Sequence, residues 1–233
     1  MNAPTPASPT DISLVYVADV MCSWCWGFAP TVERLHRELG LEVLVVNGGL
    51  RPGDSAEEMT PKMTTFLEGC WRDVGKASGQ PFDRAGLRKP AGWRYDTEPP
   101  ARAVATLRDQ DPHAAMTLFH RLQEAFYSKA IDVVSPATWG PMLIDLVDDV
   151  DAFVARAMGD EGKALAWRDF SQARSWGISG FPCLLLRSGE ELMLVTRGWA
   201  PDAAVVDGVR TFLAERALTA ADGEACAVDG SGC

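Results

Sequence analysis

Residues 12–20, ISLVYVADV, are a short β-branched run and predict a strand. Beyond them, Phe28, Val32, Leu35 and Leu39 recur at spacings of four, three and four, the apolar stripe of a helix. Gly40 follows as its stop, and Pro30 inside the stretch predicts a kink. Residues 41–47, LEVLVVN, are almost continuously apolar, as a parallel strand covered on both faces should be. Strand, helix and strand at this spacing predict a βαβ unit.

The strand signal then disappears until about residue 183. Asp54 or Ser55 is placed to cap a helix in which Met59, Met63, Phe66 and Leu67 share a face. A Gly- and Pro-rich loop covers residues 79–100; Pro100 then opens one helix and Pro112 another, striped by Met116, Phe119, Leu122 and Phe126. Helical patches follow at 136–147, 150–158 and 161–176. Residues 183–187 (CLLLR) and 192–197 (LMLVTR) predict two strands joined by a turn in SGEE. A last helix over 202–218 carries Val205, Val209, Phe212 and Leu213 on one side. The pattern thus predicts an α/β fold with an all-helical insertion over residues 55–159. Residues 1–10 and 219–233 are polar or small and predict a disordered N-terminal tail and a flexible C-terminal one.

Composition narrows the function classes. The chain of 233 residues is 47% apolar and 23% charged, a globular balance, and is long enough to hold a core without disulfides. A formal charge of -10 argues against nucleic acid as a partner. The acidic run Asp145, Asp148, Asp149 and Asp151 is more simply a solvated helix end than a metal site. No apolar run approaches the roughly 20 residues that span a bilayer. MNAPTPASPT has neither the basic start nor the apolar core of a signal peptide, so the expectation is a cytoplasmic protein without a membrane partner.

In a reducing compartment a close cysteine pair is catalytic or metal-binding rather than structural. Cys22 and Cys25 stand two residues apart where the first strand runs into the helix. A thiol at a helix N-terminus meets unpaired N–H groups and the positive end of the macrodipole, both favouring thiolate. Cys25 then lies almost one turn along, within reach of Cys22, so Cys22 can attack a disulfide and Cys25 can resolve the mixed disulfide. Ser23 and Trp24 occupy the redox-tuning gap; neither is cationic, which predicts a less oxidising pair than one with His between its cysteines. Zinc requires four ligands, and there is no second C-x-x-C. Cys226 and Cys233 are oddly spaced for completing such a set. His113 and His120 stand two helical turns apart, about 10 Å, too far for one metal. They and His36 read as surface or boundary residues, and no metal is expected.

The motifs CSWCWGFAP, NGGLR (47–51), SGQPF (78–82) and SGFP (179–182) resemble the DsbA-like branch of the thioredoxin superfamily, and within it the FrnE-like dithiol-disulfide oxidoreductases or isomerases. The likeness covers about residues 11–218. It implies a thioredoxin-like domain at 11–54 plus 160–218 around the insertion, with Cys22 and Cys25 as the catalytic pair. It also implies a cis Phe181–Pro182 bond facing that pair, leaving the backbone of Phe181 free to meet an extended substrate. Trp24, expected to be exposed, is the first choice for substrate contact, while Trp26 is either core or substrate-binding. The implied partners are disulfide-containing or unfolded polypeptides and a recycling reductant or oxidant, with glutathione as a candidate and no bound cofactor. Cys183 stands where the family commonly has Thr; together with Cys70 it reads as buried and inert. Cys226 and Cys233 remain open between an accessory redox pair and plain exposed thiols. Two other functions stay in play: a glutathione-dependent kappa or hydroxychromene-carboxylate type transferase or isomerase, against which the intact pair argues, and a non-enzymatic redox-sensing chaperone.

Overall fold

The structure, a computed structural model, describes residues 12–228, with side chains described to residue 216. The expectations for residues 1–10 and for Cys233 lie outside the described residues, as does the side chain of Cys226.

The chain opens with β1 (Ile12–Ala18), α1 (Ser23–Leu39) and β2 (Glu42–Asn47). Gly40 ends α1 in the left-handed conformation, φ 65°, which glycine adopts without a Cβ clash. Pro30 sits inside α1 without ending it. Its missing N–H leaves the Trp26 carbonyl without its helical donor, and the Gln80 side chain supplies one at 3.0 Å.

The insertion holds β3 (Glu57–Glu58), α2 (Pro61–Ser78), β4 (Arg94–Tyr95), α3 (Glu98–Gln110), α4 (Pro112–Ser128), α5 (Gly140–Leu143) and α6 (Val150–Met158). Three expectations need correction. The cap of α2 is Thr60, whose Oγ1 accepts from the Met63 N–H at 3.2 Å, with Pro61 at the first helical position. Asp54 and Ser55 instead lie in a 3-10 turn, Gly53–Ser55. Phe66 turns outward while Met63 and Leu67 are buried. A two-residue antiparallel ladder, β3 with β4, interrupts the helices. The acidic run does cap: the Asp149 carboxylate accepts from the Ala152 N–H at the start of α6.

Next come α7 (Asp160–Ser175), β5 (Cys183–Ser188), β6 (Glu191–Arg197) and α8 (Asp202–Val228). The backbone of α8 runs past Leu218, where a loose tail was expected, because the alanine-rich stretch TAADGEACAV can continue a helix. The main sheet has the order β2-β1-β5-β6, with β1 parallel to β2, antiparallel to β5, and β6 at the edge. Alternate residues of β1 enter two cores: Leu14, Tyr16 and Ala18 face α1 and the insertion, and Val15 and Val17 face the side of Ala173 and Ile178. This is why the strands read as continuous apolar runs. The first of these cores spans both the sheet and the insertion, taking in Trp71, Leu118, Phe126 and Trp139.

One buried ionic network fixes the end of β2. Arg108 of α3 holds both carboxylate oxygens of Asp169 of α7 at 2.6 Å and donates to the Val45 carbonyl at 2.8 Å. Asp169 in turn accepts from the backbone N–H and side-chain amide of Asn47, at 3.1 and 2.8 Å.

Candidate active site

β1 ends just before the cysteines, and Asp19 makes the turn between them. It is 1% exposed. Its backbone carbonyl accepts from the Cys22 N–H at 3.1 Å, while its carboxylate accepts from the N–H groups of Met21 (2.9 Å) and Leu50 (2.8 Å). Asp19 therefore ties together β1, the Cys turn and the NGGLR segment. Burial pushes its carboxyl pKa up, against the pull of those two N–H groups.

Cys22 is the N-cap of α1, with extended backbone (φ -90°, ψ 114°), and its carbonyl accepts the Trp26 N–H at 3.1 Å. The residue is buried, 7% exposed, and its thiol donates to the Phe181 carbonyl at 3.6 Å. Cys25, one turn along, is fully buried. Burial raises its thiol pKa well above the usual value, and the neighbouring Cys22 raises it further. The site is thus asymmetric, with one cysteine keeping a small exposure, where a thiol at the exposed helix tip was expected, and the other fully buried and held protonated behind it. Tyr16 donates to the Cys25 carbonyl at 3.2 Å, and Tyr95 to the Met21 carbonyl at 2.5 Å. Burial keeps both phenols protonated.

The Phe181–Pro182 peptide bond is cis. Phe181 is half-buried, and its N–H has no partner among the described residues. Its ring lies over Gly48: a Cβ there would stand 2.1 Å from Phe181 Cε1. Gly48→Ala is therefore expected to displace the ring and cost about 1–3 kcal/mol of stability. Urea unfolding would measure this; an unchanged midpoint would show that the ring has room to move.

Trp24 and Ser23, between the cysteines, are half-buried. Trp24 is not the free exposed side chain expected, because the Trp199 ring packs on it, 5.8 Å between centroids. The Trp199 indole N–H is fixed by the Gly27 carbonyl at 3.1 Å. Trp26 needs correction as a substrate contact. Its ring stacks on Tyr127 (6.1 Å, 9°), its N–H donates to the Pro81 carbonyl at 3.0 Å and only 7% of it is exposed, so it takes the core alternative. Cys183 enters the core with Val15, Val17 and Leu185, away from the core that holds Cys22 and Cys25. Cys70 is half-buried on α2. Among the described residues no group of three His, Cys, Asp or Glu is arranged to hold a metal, and no helix is long and apolar enough to cross a membrane.

Asp19 and Trp199 were missed by sequence reasoning. The position of Asp19, immediately before the Cys turn, was the signal for the first; nothing local to "TRGWAP" marks the second.

No protein-family model matches the chain, and no curated protein sequence does. Solved structures do. A proposed protein disulfide isomerase from Nitrosomonas europaea is 33% identical over 88% of this chain and 98% of its own, with a TM-score of 0.78. The cytosolic disulfide reductase DsbM from Pseudomonas aeruginosa is 22% identical over 79% of this chain and 89% of its own, with a TM-score of 0.66. A DsbA oxidoreductase from Streptomyces coelicolor, assigned as probable, is 16% identical over 86% and 89%, with a TM-score of 0.63. The last two show a DsbA-like thioredoxin fold, while the first carries identity across nearly its whole length: the chain belongs to the same family as that protein disulfide isomerase.

Proposed function

We propose that the protein is a thiol-disulfide oxidoreductase or isomerase acting on disulfide-bearing polypeptides through Cys22-Ser23-Trp24-Cys25, and that it falls in the FrnE-like group of its branch. The observation that carries this reading is the asymmetry of the pair. Cys22 caps α1 beside the Phe181 carbonyl and keeps 7% of its surface exposed, and Cys25 is fully buried behind it. The Cys22 thiolate attacks one sulfur of a substrate disulfide. A Cys22–substrate bond forms, and the second substrate sulfur leaves as thiolate and takes up a proton. Cys25 then loses its proton and attacks Cys22 Sγ. The Cys22–Cys25 disulfide forms, the first substrate sulfur leaves, and the substrate has gained the two electrons the pair lost. For isomerisation, a substrate thiolate attacks the mixed disulfide instead, and the pair ends as it began. The unpartnered Phe181 N–H supports docking of an extended segment across the cis peptide. Glutathione is the recycling thiol we assign: two molecules return the pair to dithiol and leave as glutathione disulfide. In a glutathione-rich cytoplasm this favours reduction and isomerisation.

The test is turnover with a measured potential. With glutathione as donor, the protein should reduce insulin disulfides and reactivate scrambled ribonuclease. The Cys22–Cys25 potential should lie well below the roughly -120 mV of a strong oxidant such as DsbA. An intact pair that does neither reaction would end the reading.

A further inference from the structure

We propose that the cavity between α1, β2 and α4 binds a short primary alkylammonium ion. It encloses about 240 Å³, and all three histidines of the chain, His36, His113 and His120, line it together with Glu33. Val32, Val43 and Met116 give it apolar walls, and no lysine or arginine lines it. Its volume falls below the roughly 300–1,000 Å³ of pockets for drug-sized molecules, so the ligand is small.

The partners of the rings decide the chemistry of that ligand. A backbone carbonyl only accepts, so the 2.8 Å contact between His36 Nδ1 and the Leu41 oxygen puts the ring proton on Nδ1. Nε2 of the neutral ring is then an acceptor. His120 Nδ1 stands 3.2 Å from Glu33 Oε1, and hydrogen bonding from this imidazole holds the Glu33 carboxyl below its usual range. A carboxylate too only accepts, so Nδ1 of His120 carries the proton and Nε2 is again the acceptor. That Nε2 is buried and has no partner among the described residues, a costly state that a donor inside the cavity would relieve. His113 is committed elsewhere, its Nε2 lying 3.4 Å from Glu42 Oε1 with both side chains exposed.

Two imidazole acceptors and one carboxylate therefore line one small cavity. An ammonium group has three donors and no acceptor, which matches that set, and its alkyl chain can lie against Val32, Val43 and Met116. An anion would meet Glu33 with no cation in the lining to offset it. Arg37 also acts on Glu33, but it stands outside the lining and pairs with Glu38 at 3.7 Å. The formal charge of -10 draws cations to the surface. A metal ion is the competing occupant, yet the described residues offer no group of three ligands arranged for one.

The probe is n-pentylamine, titrated into the full chain at about pH 8, where an alkylamine is charged. It should shift the Met116 methyl resonance of methyl-labelled protein with a Kd of about 1 mM, as befits so few heavy atoms. Glu33→Gln and His120→Phe should each weaken binding about tenfold, since each removes one hydrogen bond to a charged donor and nearly keeps the side chain's shape. Glu68→Gln, at an exposed carboxylate outside the cavity, should leave the Kd unchanged. Pentanoate and 1-pentanol should not shift Met116. An absent Met116 shift, or an equal response to pentanoate, would overturn the proposal, and both are read on the unaltered chain. A Kd unchanged in both folded variants would overturn it too. So would stoichiometric zinc that excludes the amine, because the cavity would then be a metal site. The readout is binding, so it is independent of turnover at Cys22.

Discussion

Cys22→Ser is expected to lower insulin-disulfide turnover by about a thousandfold or more, because the variant retains the fold but has no sulfur at the helix N-cap to form the mixed disulfide. Cys25→Ser should behave differently. It can still be attacked by, and attack, substrate through Cys22, but resolution is lost, so covalent Cys22–substrate adducts should accumulate on non-reducing gels and in intact-mass spectra. The asymmetry also sets a pH dependence. Burial and the neighbouring thiol push the Cys25 pKa well up, so at neutral pH nearly all of it is thiol. The thiolate fraction, and with it the rate of resolution, should climb as pH rises toward that raised value. Stopped-flow release from a preformed mixed disulfide would follow this. A resolution rate that is flat or falls from pH 6 to pH 9 would mean another group attacks. Full turnover by Cys22→Ser would remove the nucleophile from the reading altogether.

Asp169→Ala carries the largest expected loss of stability, about 3–5 kcal/mol, because it leaves the buried Arg108 guanidinium without its counter-charge. The bidentate pair is nearly sealed, with side-chain exposures of 11% for Arg108 and 6% for Asp169, so water cannot take the carboxylate's place. The same deletion frees the Asn47 amide and N–H, and Gly48, the bed of the Phe181 ring, is the next residue. Activity should therefore fall at temperatures where the variant is still folded. Denaturant unfolding separates the two effects. An Arg108→Met, Asp169→Leu double variant should recover part of the loss, since removing both charges leaves neither one stranded. A loss below about 1 kcal/mol in Asp169→Ala would show that the pair is solvated in solution.

The elements whose periodicity is set by burial were legible in the sequence. The strands at 12–20, 41–47, 183–187 and 192–197, the α1 stripe and the proline-opened helices α3 and α4 all appear with small shifts of boundary. Cys22 and Phe181 meet because β1 and β5 are neighbours in the sheet, an arrangement that the family resemblance implied. What escaped was decided by tertiary partners. Asp54 and Ser55 have the chemistry of caps, but the chain turns there and Thr60 caps α2. Trp26 looks like a spare aromatic until Tyr127, a hundred residues downstream, stacks on it. Arg108, Asp169 and Asn47 lie on three elements with no shared local pattern, so their network could not be read from any window of sequence. Trp199 was hidden for the same reason.

The bond from Gln80 to the Trp26 carbonyl bears on how this protein can be taken apart. The redox helix is interrupted chemically at Pro30, and the missing donor comes from a residue 54 positions later in the chain. The indole of Trp26 is likewise closed off by Pro81. The segment that bears the cysteines is therefore completed by the insertion rather than merely roofed by it. Excising the insertion to leave a minimal thioredoxin-like core would strand a carbonyl and an indole N–H beside the pair. During synthesis, too, residues 22–30 must wait for residues 78–82 to emerge before that helix can reach its final state, so redox competence should arrive only after the insertion has begun to fold.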